Sequence, residues 1–215
     1  NVYIVRLYST FAERFDNLLL GSLKYVTPTE LRRLLDQVVV SNSTYNGKAN
    51  KWLAQKGLDM GCGSGLSGEA FRDCVGHLVG VDLSPEMLAK AKLRSCYDHL
   101  FVGDCIGALT GEANFDLIVA CDVFVYIGDL QETFSAAHSS LSETGFFAFS
   151  TELLDEAKQD CPFALHECAR FAHKRSYIES LATSVGFDIC GYKVCSIRKN
   201  QGKDVFGSLV VLRRQ

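Results

Sequence analysis

Short apolar runs alternate with helical patterns through the middle of the chain. In the helical stretches, apolar residues recur at the three-to-four-residue spacing that places them on one helix face. Alternation of this kind is typical of a parallel sheet with helices on both faces. The predicted strands are 57–60, 78–82, 100–102, 115–120 and 146–150, and the predicted helices between them are 66–73, 85–94 and 130–141.

The two ends of the chain depart from this alternation. The pattern over the first 40 residues predicts two helices, followed by a polar loop at 41–50. Near the other end, a helix starting at Ser176 precedes two β-rich runs, 187–197 and 205–212, which a polar segment joins as in an antiparallel hairpin. We therefore predict an α/β fold: a Rossmann-like, doubly wound sheet of seven strands, mostly parallel, with an antiparallel C-terminal hairpin strand and helices on both faces.

Composition and charge exclude several classes of protein. The chain has 215 residues, of which 47% are hydrophobic, and this fraction is too high for a disordered chain. The 22 basic and 25 acidic residues give a net charge of −3. The chain therefore lacks the excess of basic residues that binding to nucleic-acid phosphates needs. No apolar run reaches the ~20 residues that cross a bilayer. We expect one soluble domain, 1–215, without nucleic-acid or membrane partners.

The cysteine pattern bears on the cell compartment. The nine cysteines form no CxxC pair. An odd number does not suit a disulfide framework, and zinc sites favour close pairs. Free thiols in a reducing compartment are the simpler interpretation, so we expect a cytoplasmic location and no metal site.

A glycine-rich loop joins the first predicted strand to its helix. Such loops let a ligand approach the backbone closely. The pattern Gly63-x-Gly65-x-x-Gly68 is shared with dinucleotide sites, so an NAD(P)-dependent oxidoreductase remains an alternative. Asp59 favours another ligand, because a carboxylate beside the loop opposes a pyrophosphate but attracts the ammonium and sulfonium of S-adenosylmethionine. Asp82, at the end of the next strand, suits ribose hydroxyls in either class.

Four motifs resemble, in order and spacing, those of the class I S-adenosylmethionine-dependent methyltransferases. The agreement extends from about residue 53 to 151. The resemblance implies transfer of a methyl group from S-adenosylmethionine to an acceptor, with release of S-adenosylhomocysteine. The motifs are Asp59-x-Gly61-x-Gly63-x-Gly65, Val81-Asp82-Leu83-Ser84 followed by Met87, Gly103-Asp104-Cys105, and the segment 115–122.

The same resemblance implies roles for individual residues. The glycine loop would hold the methionine part of the cofactor, Asp82 its ribose, and the third motif its adenine. An aromatic residue of the N-terminal helices would close over it, although Tyr8 and Tyr25 fit an apolar helix face equally well. The implied cofactor residues are Asp59, Gly61, Cys62, Gly63, Gly65, Asp82, Leu83, Met87, Asp104, Cys105, Cys121, Tyr8 and Tyr25.

A closer resemblance is to bacterial methyltransferases that sometimes carry tetratricopeptide repeats. No such repeat is visible in this chain. The residues that carry this likeness are Tyr8, Phe11, Ala12, Phe15, Asp16, 23–25, 122–130 and 170–173.

The acceptor side is less defined. Tyr126 follows the fourth predicted strand, where the acceptor of such an enzyme sits, and the insertion 153–175 carries His166, Arg170 and His173. Arg170 could bind a carboxylate or phosphate, and the catalytic candidates are His173 and Tyr126. All three insertion residues could instead lie at the surface. Since no Asn/Asp-Pro-Pro-Tyr/Phe motif follows that strand, we expect a small molecule, an acyl or carboxylate group, or a protein side chain as acceptor.

We expect three parts within the single domain. Residues 1–50 would form a helical lid, 51–151 the cofactor-binding half, and 152–215 the substrate insertion, a helix and the C-terminal hairpin. Because the sequence identifies no catalytic base, a non-catalytic cofactor-binding or partner-regulated module is the second alternative.

Overall fold

A computed structural model describes residues 21, 23–42, 53–111, 113–157, 161–200 and 202–215. Most of the predicted first helix, with Tyr8, lies outside these residues. The helices are α1 (Thr27–Asn42), α2 (Leu66–Phe71), α3 (Pro85–Leu93), α4 (Cys105–Gly111), α5 (Gln131–Ser140) and α6 (Arg175–Val185). The strands are β1 (Ala54–Met60), β2 (Val75–Asp82), β3 (His99–Val102), β4 (Phe115–Ala120), β5 (Leu141–Leu153), β6 (Phe163–Leu165), β7 (Phe171–His173), β8 (Phe187–Asn200) and β9 (Lys203–Arg214).

The strand order confirms the predicted doubly wound α/β fold. Five strands run parallel in the order β3-β2-β1-β4-β5, so the winding reverses between β1 and β4. β9 pairs antiparallel with β5, and β8 with β9, which confirms the C-terminal hairpin. In such sheets, ligands bind beyond the carboxyl ends of the strands, where the winding reverses.

The prediction of seven strands was wrong by two. Across the described residues the sheet has nine, because β6 and β7 form an antiparallel hairpin inside the insertion. β7 joins the sheet beside Glu152 and Leu153 of β5, beyond the end of β4. Strands of three residues offer too few alternating positions for a sequence pattern. β5 is also longer than predicted, since it pairs with β4 on one side and with β9 on the other.

Helix α4 has no counterpart among the predicted elements. It contains seven residues, two of them glycines, and so gives little helical pattern. Its start is stabilised by Asp104, whose carboxylate accepts the backbone N–H of Gly107 at 2.8 Å. In the ranges that the structure describes, no helix combines the length and apolar character needed to cross a membrane.

Apolar clusters cover both faces of the sheet. Alternate residues of β4 enter different clusters, Ile118 and Ala120 on one face and Leu117 and Val119 on the other. The second cluster includes buried leucines of α1, which packs against β8 and β9. The first is rich in aromatic rings with centroids 4.8–6.2 Å apart, contributed by Phe124, Phe134, Phe147, Phe149 and Phe187. A core of this kind holds the strand ends, and the loops that follow them, in fixed positions.

Candidate active site

The glycine loop lies between β1 and α2, at the carboxyl edge of the sheet. Gly61, Gly63 and Gly65 have φ angles of 63°, 53° and 92°. A Cβ atom at Gly61 would stand 2.6 Å from a methyl carbon of Val123, and one at Gly65 would stand 2.9 Å from Cδ of Arg94. The φ angles disfavour side chains at all three glycines, and lack of space opposes them at Gly61 and Gly65 as well. The loop presents bare backbone at the edge where ligands bind.

Asp82 connects this loop to the end of β2. One carboxylate oxygen accepts the backbone N–H of Gly63 at 2.9 Å, and the other accepts that of Ser84 at 2.9 Å. Burial raises the pKa of Asp82, and these backbone hydrogen bonds oppose the rise. Each carboxylate oxygen can accept a second hydrogen bond. Asp82 can therefore hold the loop and still accept hydroxyl groups from a ligand.

Asp59 is a buried carboxylate whose two oxygens differ in their hydrogen bonding. Only 2% of the residue is exposed. Its Oδ2 accepts hydrogen bonds from the hydroxyls of Ser67 and Tyr97, each at 2.6 Å. Its Oδ1 has no hydrogen-bond partner among the residues that the structure describes. Since both hydroxyls bind the same oxygen, the other remains available to a ligand donor.

Tyr97 is a site residue that the sequence analysis missed. Its hydroxyl accepts the backbone N–H of Gly68 at 3.1 Å and donates to Asp59, so it links the carboxylate to α2. A Cβ atom at Gly68 would stand 2.3 Å from the ring, and one at Gly80 would stand 2.9 Å from it. These two glycines are the sequence signal, but they show only that space is needed and not which side chain fills it.

Electrostatic effects show that the predicted cofactor residues converge on one region. Burial, aided by the charge of Asp82 and opposed by the hydrogen bonds from Ser67 and Tyr97, raises the pKa of Asp59 to about 6. Burial and then the charges of Asp59 and Asp82 raise the pKa of the Cys62 thiol. Burial raises the pKa of Cys105 to about 12, and burial followed by the charge of Asp59 raises that of Cys121. Asp59 thus has neutral thiols in its neighbourhood.

The other predicted cofactor residues lie around this region at different depths. Met87 is buried, and its terminal methyl carbon lies 3.5 Å from a Cβ atom built at Gly63. Leu83 is partly buried beside Asp82, and Asp104 is exposed at the start of α4. Tyr25 belongs to a segment that runs beside β8, where the carbonyl of residue 23 accepts the N–H of residue 199 at 2.7 Å.

On the acceptor side, the structure brings Tyr126 and Arg170 together. Tyr126 lies in a 3₁₀ turn after β4, and the guanidinium carbon of Arg170 is 5.9 Å from the centre of its ring. His166 is exposed in the turn between β6 and β7. Arg170 is therefore not a simple surface residue.

His173 is buried, with 1% of its surface exposed. Its Nε2 lies 3.0 Å from the carbonyl oxygen of Ile127 and 2.9 Å from that of Gly128. These two acceptors assign the hydrogen to Nε2, so Nδ1 carries the lone pair. Nδ1 has no partner within the described part of the chain, and burial lowers the pKa of the ring.

One region of the chain matches the model of a known protein family. Residues 58–147 match the model of a family described as a methyltransferase domain. The chain is 31% identical to the malonyl-[acyl-carrier protein] O-methyltransferase of Enterobacter lignolyticus over 98 residues, which are 46% of this chain and 39% of that protein. It is 26% identical to a ubiquinone biosynthesis O-methyltransferase of Glaesserella parasuis over 115 residues, 49% of each protein. The chain thus spans about half, or less, of the length of these curated relatives.

Solved structures match nearly the whole chain. An S-adenosylmethionine-dependent methyltransferase from Clostridium acetobutylicum superposes with a TM-score of 0.66 and 21% identity, covering 97% of this chain and 99% of the other. The N-methyltransferase NodS from Bradyrhizobium japonicum, in complex with S-adenosylhomocysteine, gives a TM-score of 0.62 and 19% identity, covering 86% and 85%. Identities this low show a shared fold. Residues 58–147 are therefore similar to the methyltransferase domain family, within a chain that has the fold of the S-adenosylmethionine-dependent methyltransferases.

Proposed function

We propose that the chain transfers a methyl group from S-adenosylmethionine to a small-molecule, acyl or carboxylate, or protein acceptor, and releases S-adenosylhomocysteine. The observation that carries the proposal is the buried carboxylate of Asp59 beside the glycine loop, with Oδ1 unpartnered among the described residues. This carboxylate suits a ligand that brings an ammonium group and opposes one that brings a pyrophosphate. The similarity to two kinds of O-methyltransferase supports the same conclusion.

The residues at the carboxyl edge fit this cofactor. Asp59 would accept a hydrogen bond from its ammonium through Oδ1, with the backbone of Gly61–Gly65 around the methionine part. Asp82 would bind the ribose hydroxyls with its remaining lone pairs. The neighbouring residues would line the pocket: Leu83, Met87, Asp104 and Cys105 at the adenosine part, Cys62 and Cys121 beside the methionine part, and Tyr25 and Tyr8 in the lid.

The bound cofactor would supply a methyl group on a sulfonium, which leaves as a neutral thioether. Because that group is already activated, the protein contributes mainly by aligning the acceptor and excluding water. We propose that Tyr126 and Arg170 contact the acceptor, with His166 at the rim. A hydroxyl or amine acceptor must lose a proton, and Nδ1 of His173 is our candidate base. A carboxylate acceptor needs no base.

Each of the nine cysteines is a free thiol in the structure. Free thiols persist where glutathione and thioredoxin keep them reduced. These free thiols support our proposal of a cytoplasmic location.

Binding of S-adenosylhomocysteine is expected to tighten from about pH 5 to about pH 7. The ligand's ammonium stays charged over this range, whereas Asp59, with a pKa of about 6, loses its proton and becomes a charged acceptor. Asp59→Asn should bind about tenfold more weakly at neutral pH and lose most of the pH dependence. Calorimetric titrations at several pH values measure both effects, and an undiminished slope in the variant would refute the role of Asp59.

Methyl transfer itself is tested with methyl-labelled S-adenosylmethionine. The purified chain is incubated with the small-molecule, acyl-carrier and protein fractions of a bacterial extract, beside the Asp82→Ala variant. We expect the label to enter one fraction and to require Asp82. Cofactor binding without transfer to any fraction would favour the non-catalytic module instead.

A further inference from the structure

Four charged side chains meet at the carboxyl ends of β4 and β5. Asp122 follows β4, Glu152 lies near the end of β5, Arg170 precedes β7, and Arg198 lies on β8. Nη2 of Arg198 donates to Oε1 of Glu152, and Nη1 of Arg170 lies 3.6 Å from the same oxygen. Asp122 accepts the hydroxyl of Ser150 at 2.9 Å. We call Asp122, Glu152, Arg170 and Arg198 the charged cluster.

Arg198 is buried without full hydrogen bonding. Its side chain is 6% exposed, and its Nη1 lies 3.9 Å from a carboxylate oxygen of Asp122, too far for a hydrogen bond. Within the described ranges Nη1 has no hydrogen-bond partner at all. Leaving a buried donor unsatisfied costs free energy, and native structures seldom do so without a reason. A ligand that brings acceptor oxygens would satisfy this nitrogen.

The charged cluster adjoins the proposed cofactor pocket. Cys121 immediately precedes Asp122, and burial, then the charge of Asp59, then that of Asp122, raise the pKa of its thiol. The Cys121 thiol therefore lies close enough to Asp59 of the cofactor pocket and to Asp122 of the charged cluster to interact with the charge of each. The cluster also occupies the β4–β5 part of the edge whose β1–β2 part carries the glycine loop and Asp82. A group held by Arg198 would lie next to the cofactor pocket.

The chemistry of the cluster favours an anion over a cation. The formal charges of the two carboxylates and two guanidinium groups sum to zero. The buried atom that lacks a partner among the described residues, Nη1 of Arg198, is a hydrogen-bond donor. Burial raises the pKa of Asp122, and the charge of Arg198 opposes the rise. An amine would bring more N–H donors and place a second positive charge beside Arg198. An anionic oxygen group supplies what Nη1 lacks.

Resting on the methyltransferase function proposed above, we propose that Arg198 binds an anionic oxygen group of the methyl acceptor, a carboxylate or a phosphate, through Nη1, with Arg170 beside it. The acceptor is then an acidic molecule that this arginine anchors next to the cofactor. Neither the motifs nor the sequence pattern draws attention to Arg198, because the hairpin β8–β9 brings it to the site from a distant part of the chain.

The test uses simple anions as probes. The purified chain, alone and saturated with S-adenosylhomocysteine, is titrated with succinate, inorganic phosphate and putrescine at constant ionic strength. We expect one of the two anions to bind saturably, and which of them binds distinguishes the two sources of charge. Arg198→Met should weaken the binding of that anion at least about tenfold. Arg213→Met, on the same hairpin but outside the cluster, is the matched control and should leave it unchanged.

Folding is checked in the same samples by their affinity for S-adenosylhomocysteine. Should Arg198→Met fail to fold, Arg198→Lys is used instead. It keeps the charge opposite Glu152 but loses the second nitrogen, so it should also weaken the binding of the anion. Preference for putrescine, absence of anion binding, or equal anion affinity in wild type and Arg198 variants would overturn the inference. If wild type does not bind S-adenosylhomocysteine, the proposed function fails, and the titrations without it still decide whether Arg198 binds an anion.

Discussion

The Asp82→Ala variant should bind S-adenosylhomocysteine about 10–100-fold more weakly than the wild type. The carboxylate accepts the backbone N–H groups of Gly63 and Ser84, and we propose that it also accepts the ribose hydroxyls. Removing it therefore loses contacts with the ligand and also frees the loop that cradles the ligand. Hydrogen bonds to a charged group contribute about 1.5–3 kcal/mol, which gives this range of affinity loss.

Calorimetry measures the effect, with Asp188→Ala as the matched control. Asp188 is exposed on β8, where it accepts a hydrogen bond from the side chain of Gln215. That variant should keep the wild-type affinity. Asp82→Asn, which retains one acceptor oxygen, should fall between the wild type and Asp82→Ala. An Asp82→Ala variant that folds and binds S-adenosylhomocysteine like the wild type would refute the role of this residue.

Gly61→Ala is expected to lower the free energy of unfolding by about 2–5 kcal/mol. Two separate causes contribute. The φ angle of 63° is unfavourable for a residue with a Cβ atom, and that atom would stand 2.6 Å from a methyl carbon of Val123. Because Val123 lies in the segment after β4, the crowding would also displace the wall of the proposed acceptor site. Chemical denaturation measures the loss of stability.

A double-mutant cycle separates the two causes. In Gly61→Ala/Val123→Ala the crowding is relieved and the φ cost of about 1–2 kcal/mol remains, so the double variant should be more stable than the sum of the single changes indicates. Gly111→Ala is the control, since a Cβ atom there would meet nothing within 4 Å. It should be neutral or slightly stabilising. Equal losses at Gly61 and Gly111 would show that neither cause applies.

The parts of the site that the sequence predicted are those that local pattern determines. The glycine loop follows β1 directly in the sequence, and Asp82 is the last residue of β2. A pattern that locates these two strands therefore also locates the loop and Asp82. Asp104 lies just after β3, and its carboxylate accepts the backbone N–H of Gly107 at the start of α4. Local motifs therefore define the proposed cofactor side of the site.

The parts that the sequence missed depend on long-range contacts. Tyr97 reaches Asp59 across 38 residues, and Arg198 reaches Glu152 across 46. His173 is buried because β7 pairs with the end of β5, which a run of three residues does not indicate. The place of Arg198 and the burial of His173 follow from how β5 pairs with strands on both of its edges, whereas Tyr97 packs against Gly68 of α2 and Gly80 of β2.

The most direct test is a calorimetric titration of the purified chain with S-adenosylhomocysteine and, separately, with NAD⁺. Asp59 places a carboxylate beside the glycine loop, with one oxygen unpartnered among the described residues, which suits an ammonium and opposes a pyrophosphate. We therefore expect saturable, equimolar binding of S-adenosylhomocysteine and no binding of NAD⁺. Tight binding of NAD⁺ without binding of S-adenosylhomocysteine would contradict the assignment of this site to a methyltransferase.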